Sequence, residues 1–265
     1  SRAMAQVRPA AVADQVDPAA PATLQAQVGR YLSDARPSPT GRPKALIAPH
    51  AGYVYSGPIA GSAYASIVPF CDEIDRVVLL GPAHRVYLRG LAAPVADAFE
   101  TPLGRVPIDR AAITALLDLP QVGISSEAHA LEHSLEVQLP FLQTVLETFT
   151  LVPLLVGDAT GEEVAEVLDR VWGGRETLIV VSSDLSHYYD DETAHRLDAR
   201  TSRAIEAMQP EAIESEGACG QRPIQGLLLA ARARQLLVDT VDLRTSGDTH
   251  GPRDQVVGYG AYVLS

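Results

Sequence analysis

The chain has 265 residues, 46% of them hydrophobic and 20% charged, a composition that fills one large core and leaves no room for a disordered or collagen-like assignment. Acidic residues (33) outnumber basic ones (21), for a net charge of −12. Such a surface repels phosphate backbones and anionic lipid, so neither nucleic acid nor a membrane is an expected partner. Two cysteines, Cys71 and Cys219, cannot build a disulfide framework. The longest apolar runs, about ten residues, are too short to span a bilayer, and no signal-peptide pattern is visible, so the cytoplasm is the expected compartment.

Residues 1–21 are rich in Ala, Pro and Asp, and read as an irregular lead-in to a single domain over 22–265. Helical spacing follows over 23–33 and is closed by the Pro-rich stretch 36–43. One pattern then repeats: an apolar run ends in small residues, a histidine follows, and helical sequence begins. The run 45–48 (ALIA) leads to Pro49-His50-Ala51-Gly52-Tyr53 and a helix over 58–68. The run 76–80 (RVVLL) leads to Gly81-Pro82-Ala83-His84. The run 177–181 (TLIVV) leads to Ser182-Ser183-Asp184-Leu185-Ser186-His187 and a helix over 193–208. Short β-branched runs of this kind read as buried strands. Further helices are predicted over 110–117, 134–146, 162–171 and 224–236, with Pro140 kinking or breaking the second. Further strands are predicted over 151–156, 238–244 and 256–263. The last two, with SGDTHGPRD between them, read as a hairpin. Alternating strands and helices plus a hairpin predict a three-layer α/β sandwich with a mixed central sheet.

Ligands in open α/β sheets sit beyond the C-terminal ends of the strands. His50, His84 and His187 each fall within about six residues of such an end. One histidine there is an ordinary turn or cap residue; three point to a shared site. Cys219 sits in Ala218-Cys219-Gly220-Gln221-Arg222-Pro223, just before a helix. A helix N-terminus biases a thiol toward the thiolate, the form that binds metals or attacks electrophiles. The plain alternative is a small buried hydrophobe, which is how Cys71 is read. Imidazoles with a thiolate make a first-row metal site that suits Fe(II), Zn(II) or Cu. Asp184, three residues before His187, is placed to orient an imidazole or to cap a turn. On a helix, His129, His133 and Glu136 would share one face, which suits pocket lining or a polar helix end better than primary ligation. Tyr53, in a Gly/Tyr loop, lines a pocket or packs; Arg222 binds an anion or lies on the surface.

Several strings occur in a fixed order. They are Pro49-His50-Ala51-Gly52-Tyr53 with Tyr55-Ser56-Gly57, Gly81-Pro82-Ala83-His84, EHSLEVQLPFL over 132–142, SSDLSHY over 182–188, Cys219-Gly220 and Val257-Gly258-Tyr259-Gly260. Together they resemble the Memo family, called AmmeMemoRadiSam system protein B in bacteria and archaea, and the likeness covers most of the chain. The resemblance implies the fold of the class III extradiol dioxygenases, which hold Fe(II) with two histidines and a glutamate beside an acid/base histidine. It implies His50, His84 and Cys219 as the metal ligands here, for iron(II) foremost and copper or zinc otherwise. His187 takes the acid/base position with Asp184 beside it. The chain departs from the family pattern at Ala13-Asp14-Gln15-Val16-Asp17-Pro18, where relatives carry an AlaGly-aromatic-TyrPro segment, and at Gln221, which separates Cys219-Gly220 from Arg222.

Two functions are consistent with this resemblance. One is a non-haem iron-dependent, dioxygenase-like redox enzyme acting on a small organic substrate. The other is a binder of metal, peptide or small ligand that uses the same pocket without turnover. The family's association with a radical SAM protein and a small companion domain implies a functional link to both. A third reading, from the residues alone, is a hydrolase with Cys219 as nucleophile and His187 as base.

Overall fold

The computed structural model describes residues 6–11, 17–36 and 41–265. Its strands are β1 (Val7–Arg8), β2 (Ala45–Ala48), β3 (Arg76–Pro82), β4 (Leu91–Ala93), β5 (Ala98–Thr101), β6 (Gly104–Pro107), β7 (Val122–Ile124), β8 (Thr150–Val156), β9 (Thr177–Ser182), β10 (His187–Tyr189), β11 (Val238–Thr245) and β12 (Val256–Leu264). Its helices are α1 (Pro21–Ser33), α2 (Tyr53–Ala65), α3 (Arg110–Leu116), α4 (Ser126–Ala130), α5 (Leu139–Leu146), α6 (Gly161–Val171), α7 (Asp191–Glu206), α8 (Gln221–Ala233) and α9 (Ser246–Thr249).

The unbroken apolar runs become the centre of the sheet. β2, β9, β3 and β8 lie side by side, all parallel, and nearly every residue in them is buried. That is what strands covered on both faces require. Antiparallel β12 and β11 extend one side, with β10 also on β12; antiparallel β4 followed by β7 extends the other, so the sheet is mixed. Helices α1, α2 and α5 pack together on one face, and α3, α6, α7 and α8 cover the other. The expected three-layer sandwich and the β11–β12 hairpin are both present.

The differences from expectation have local causes. Helix α2 begins at Tyr53, not 58, because its free N-terminal groups find a distant partner: the Tyr53 N–H donates to Asp17 Oδ1 at 2.9 Å. Pro140 does break the 134–146 pattern. A 3₁₀ turn over Glu136–Gln138 precedes α5, and Pro140 falls in the first turn of that helix, where a missing N–H is harmless. Helix α4 stops at Ala130, so His129, His133 and Glu136 do not share a helix face. His129 instead bonds the Ala92 carbonyl and packs against Phe99. The lead-in is not irregular throughout either: β1 pairs in parallel with β5, and Arg8 is buried. Residues 1–5 and 12–16 of the lead-in, with most of the departing segment 13–18, lie outside the described residues.

Candidate metal centre

Three neighbouring parallel strands end level with one another. Ala48 of β2 pairs with Ser182 of β9, and Leu80 of β3 pairs with Val181. The loops that follow therefore leave from one sheet edge, and they carry His50, Asp184 with His187, and His84.

The His50 N–H donates to Asp184 Oδ1 at 2.8 Å, tying the β2 loop to the β9 loop. The ring is 3% exposed, with Nδ1 2.9 Å from Ser182 Oγ and Nε2 3.5 Å from Cys219 Sγ. Burial drives its pKa down to about 4, against the pull of the Asp184 carboxylate, so the ring is neutral near pH ~7 and keeps a lone pair.

His84 is held by Glu132, which is buried. The His84 backbone N–H donates to Glu132 Oε1, and Nδ1 lies 3.1 Å from Oε2. Oε2 also accepts from the N–H groups of His133 and Ser134, at 3.0 Å each. Burial opposes ionisation of Glu132, but the bonds from the His84 side chain and backbone and from Ser134 bring its pKa down to about 2. An ionised carboxylate only accepts, so His84 Nδ1 carries the proton and Nε2 is left as a ligand. His133 packs against both rings, with centroids 5.9 Å from each, and burial pushes its pKa down.

Cys219 enters from the turn before α8. A Cβ on Gly220 would lie 2.6 Å from the Ser183 Cβ, so only glycine lets this turn reach the end of β9. Cys219 Sγ accepts from the Asp184 N–H at 3.3 Å. Burial, then the Asp184 charge, pushes the thiol up to about 12. The expected bias toward thiolate is thus overturned for the metal-free protein: burial and a nearby carboxylate outweigh the helix end.

The ligand atoms of His50, His84 and Cys219 all lie within 4.8 Å of one another. Neutral imidazoles and a sulfur, backed by carboxylates, fit iron, copper or zinc and do not fit the oxygen-seeking Mg(II) or Ca(II). Asp191, His195 and Asp248 also converge, but Arg253 already pairs with both carboxylates at 2.6 and 3.4 Å. That group is an ion-pair network.

The remaining expected residues divide. Asp184 Oδ2 lies 3.7 Å from His50 Nε2 and 3.9 Å from His187 Nε2, so the carboxylate stands between a ligand and the acid/base candidate. Tyr188, beside His187, has φ 69°, the left-handed backbone that non-glycine residues adopt at a cost, often at working sites. Arg222 and Cys219 line one cavity of about 280 Å³, with Tyr87, Leu88 and Asp158. Tyr53 is not with them: its ring packs on Phe141, and its hydroxyl donates to the Val137 carbonyl at 2.5 Å. Glu136 pairs with buried Arg8 and accepts from the Ala11 N–H at 2.6 Å, neither of which belongs to the cluster. Glu132, Ser182 and Gln138 fall within the strings 132–142 and 182–188, but nothing in the sequence assigns them to the site.

The Memo-like protein family model matches residues 8–263. A MEMO1 family protein of Archaeoglobus fulgidus is 34% identical over 96% of this chain and 97% of its own length. A MEMO1 family protein of Aquifex aeolicus is 37% identical, covering 82% of this chain and 84% of its own. The crystal structure of an uncharacterised protein from Escherichia coli K12 shares the fold. Its TM-score is 0.56 at 13% identity, over 84% of this chain and all of the other.

Proposed function

The chain belongs to the Memo family, and from that premise we propose that it is a non-haem iron-dependent redox enzyme of the class III extradiol dioxygenase-like type, acting on a small organic substrate. The observation that carries this reading is the convergence of His50, His84 and Cys219 within 4.8 Å. These three residues would hold iron(II); copper or zinc suits the same donors. When bound, iron would supply redox chemistry and a positive charge that polarises a substrate oxygen. The other roles belong to the chain's own groups. His187, one-third exposed beside Asp184, takes and returns a substrate proton, and the carboxylate stabilises the imidazolium that forms. The cavity next to Cys219, at about 280 Å³, lies just below the range usual for small-molecule sites and supports a compact ligand. Arg222 on its wall favours an anionic substituent.

The metal-free hydrolase reading is weaker. A thiol held near 12 is a poor nucleophile, and its nearest base, His50 Nε2, belongs to a ring with a pKa of about 4.

The test is metal content by mass spectrometry after anaerobic purification, with oxygen uptake measured over a panel of ring diols. Near-stoichiometric iron, lost in Cys219→Ala and His50→Ala and retained in His187→Ala, supports the ligand set. Uptake that vanishes in His187→Ala supports catalysis. Tight metal with no turnover of any panel member would leave a metal-binding protein. No uptake of Fe(II), Cu or Zn(II) would end the proposal.

A further inference from the structure

We propose that Ser182, Gln138 and Tyr64 form a buried hydrogen-bond chain that fixes the tautomer of His50, so that its Nε2 lone pair already faces the cluster before any metal arrives. The inference rests on the metal-site reading of that cluster, but its first arm is tested without metal.

The argument is a count of protons. Ser182 Oγ has three neighbours: the Ser134 carbonyl at 2.5 Å, Gln138 Nε2 at 2.9 Å and His50 Nδ1 at 2.9 Å. A serine hydroxyl has one proton and two lone pairs. The Ser134 carbonyl can only accept, and at 2.5 Å it must receive that proton. Gln138 Nε2 can only donate, and the orientation of the amide is fixed from both sides. Nε2 also faces the carbonyls of Pro49 at 2.9 Å and Ala48 at 3.4 Å, which would repel an amide oxygen. Oε1 accepts from the Tyr64 hydroxyl at 2.6 Å. One lone pair of Ser182 Oγ is thus taken by Gln138. The other can only be filled by an Nδ1–H of His50. In the neutral imidazole, the form that binds a metal, that is the one N–H, and Nε2 is bare.

Every member is out of water: Tyr64, Ser134 and Ser182 are 0% exposed, Gln138 1% and His50 3%. At that burial bulk water cannot satisfy a misplaced group, so the opposite tautomer would leave two acceptors facing each other at Nδ1. The Nε2 edge faces the cluster, with Cys219 Sγ 3.5 Å and Asp184 Oδ2 3.7 Å away. His84 reaches the same tautomer through an ionised carboxylate, and His50 reaches it through a neutral chain. Ser182, Gln138 and Tyr64 are therefore positioning residues.

The test is long-range ¹⁵N–¹H spectroscopy of metal-free protein, with the His50 signals identified by their loss in His50→Gln, followed by anaerobic Fe(II) titration. Wild type should show His50 protonated at Nδ1. Ser182→Ala should lose that single tautomer and weaken Fe(II) binding by about 10- to 100-fold, as for other residues that orient a metal-bound histidine. Gln138→Leu should act in the same direction. Wild-type His50 protonated at Nε2 would overturn the inference, with no variant needed. So would a Ser182→Ala protein that keeps either the Nδ1–H tautomer or wild-type affinity. A wild type that shows the Nδ1–H tautomer yet binds no Fe(II) would remove the metal-site reading and leave the proton count standing.

Discussion

Cation binding at this cluster should release the Cys219 proton. The thiol is pushed up to about 12, by burial first and the Asp184 charge second. It is therefore protonated in the metal-free protein across the neutral range, and only the thiolate is a ligand. His50, held at about 4, has no proton to lose there. Each pH unit of rise should then strengthen apparent affinity tenfold, about 1.4 kcal/mol, with no plateau between about pH 7 and 9. Anaerobic calorimetry in buffers of different ionisation enthalpy counts the protons directly, and thiolate-to-metal absorption reports the bond. Cys219→Ala should lose the thiol's share of the release and the steep pH dependence with it. Affinity that stays flat over this range in wild type, or an equal slope in Cys219→Ala, would refute the thiolate ligand and the argument from burial together.

Four further outcomes follow from the same geometry. Glu132→Gln keeps the size of the side chain but sets an amide against the four N–H groups that the carboxylate receives, and metal titration should show affinity down by about 10- to 100-fold. Gly220→Ala places a Cβ 2.6 Å from the Ser183 Cβ and 3.1 Å from the Ser182 carbonyl; denaturant unfolding should register about 1–3 kcal/mol lost, with metal uptake impaired because Cys219 moves. Arg8→Ala strips buried Glu136 of its guanidinium and frees the carbonyls of His129 and Glu132, and should cost about 3–5 kcal/mol by the same assay. Excess Mg(II) in the Fe(II) titration should leave occupancy unchanged.

Much of the fold was legible because buried parallel strands announce themselves as unbroken apolar runs, and four of these became the sheet centre. The short strands β4, β5, β6 and β7 were not legible: three or four residues carry too little pattern, and their pairing depends on partners far along the chain. Helix α2 shows the same limit, since its N-terminal bond comes from Asp17. In the site, His50, His84, His187 and Asp184 could be found because strand ends are where α/β sheets place ligands. Cys219 could be found from its glycine and the helix after it. The residues that hydrogen-bond to those candidates could not. Ser182 is the last residue of an ordinary strand, Gln138 sits in a 3₁₀ turn, and Glu132 acts through contacts with His84, 48 positions away. A hydrogen-bond partner set by tertiary packing leaves no periodic trace.

Cysteine rather than a carboxylate as third candidate ligand bears on which cation the cluster would accept. A carboxylate is normally ionised at neutral pH and would attract any cation by charge alone. Here the third candidate ligand is a neutral thiol until its proton is displaced. Driving off a proton held at about 12 costs about 7 kcal/mol at pH ~7, taking about 1.4 kcal/mol per unit. Only a metal that bonds strongly to sulfur offsets a cost of that size. Iron, copper and zinc do, and magnesium and calcium, which seek oxygen, do not. Glu132 adds to this selectivity without being a ligand. Its charge, fixed behind His84, favours the cation once bound, yet its oxygens are occupied by four N–H groups and are not offered to a hard ion. The same burial that keeps the thiol protonated thus disfavours the abundant hard cations at this cluster and favours sulfur-seeking ones.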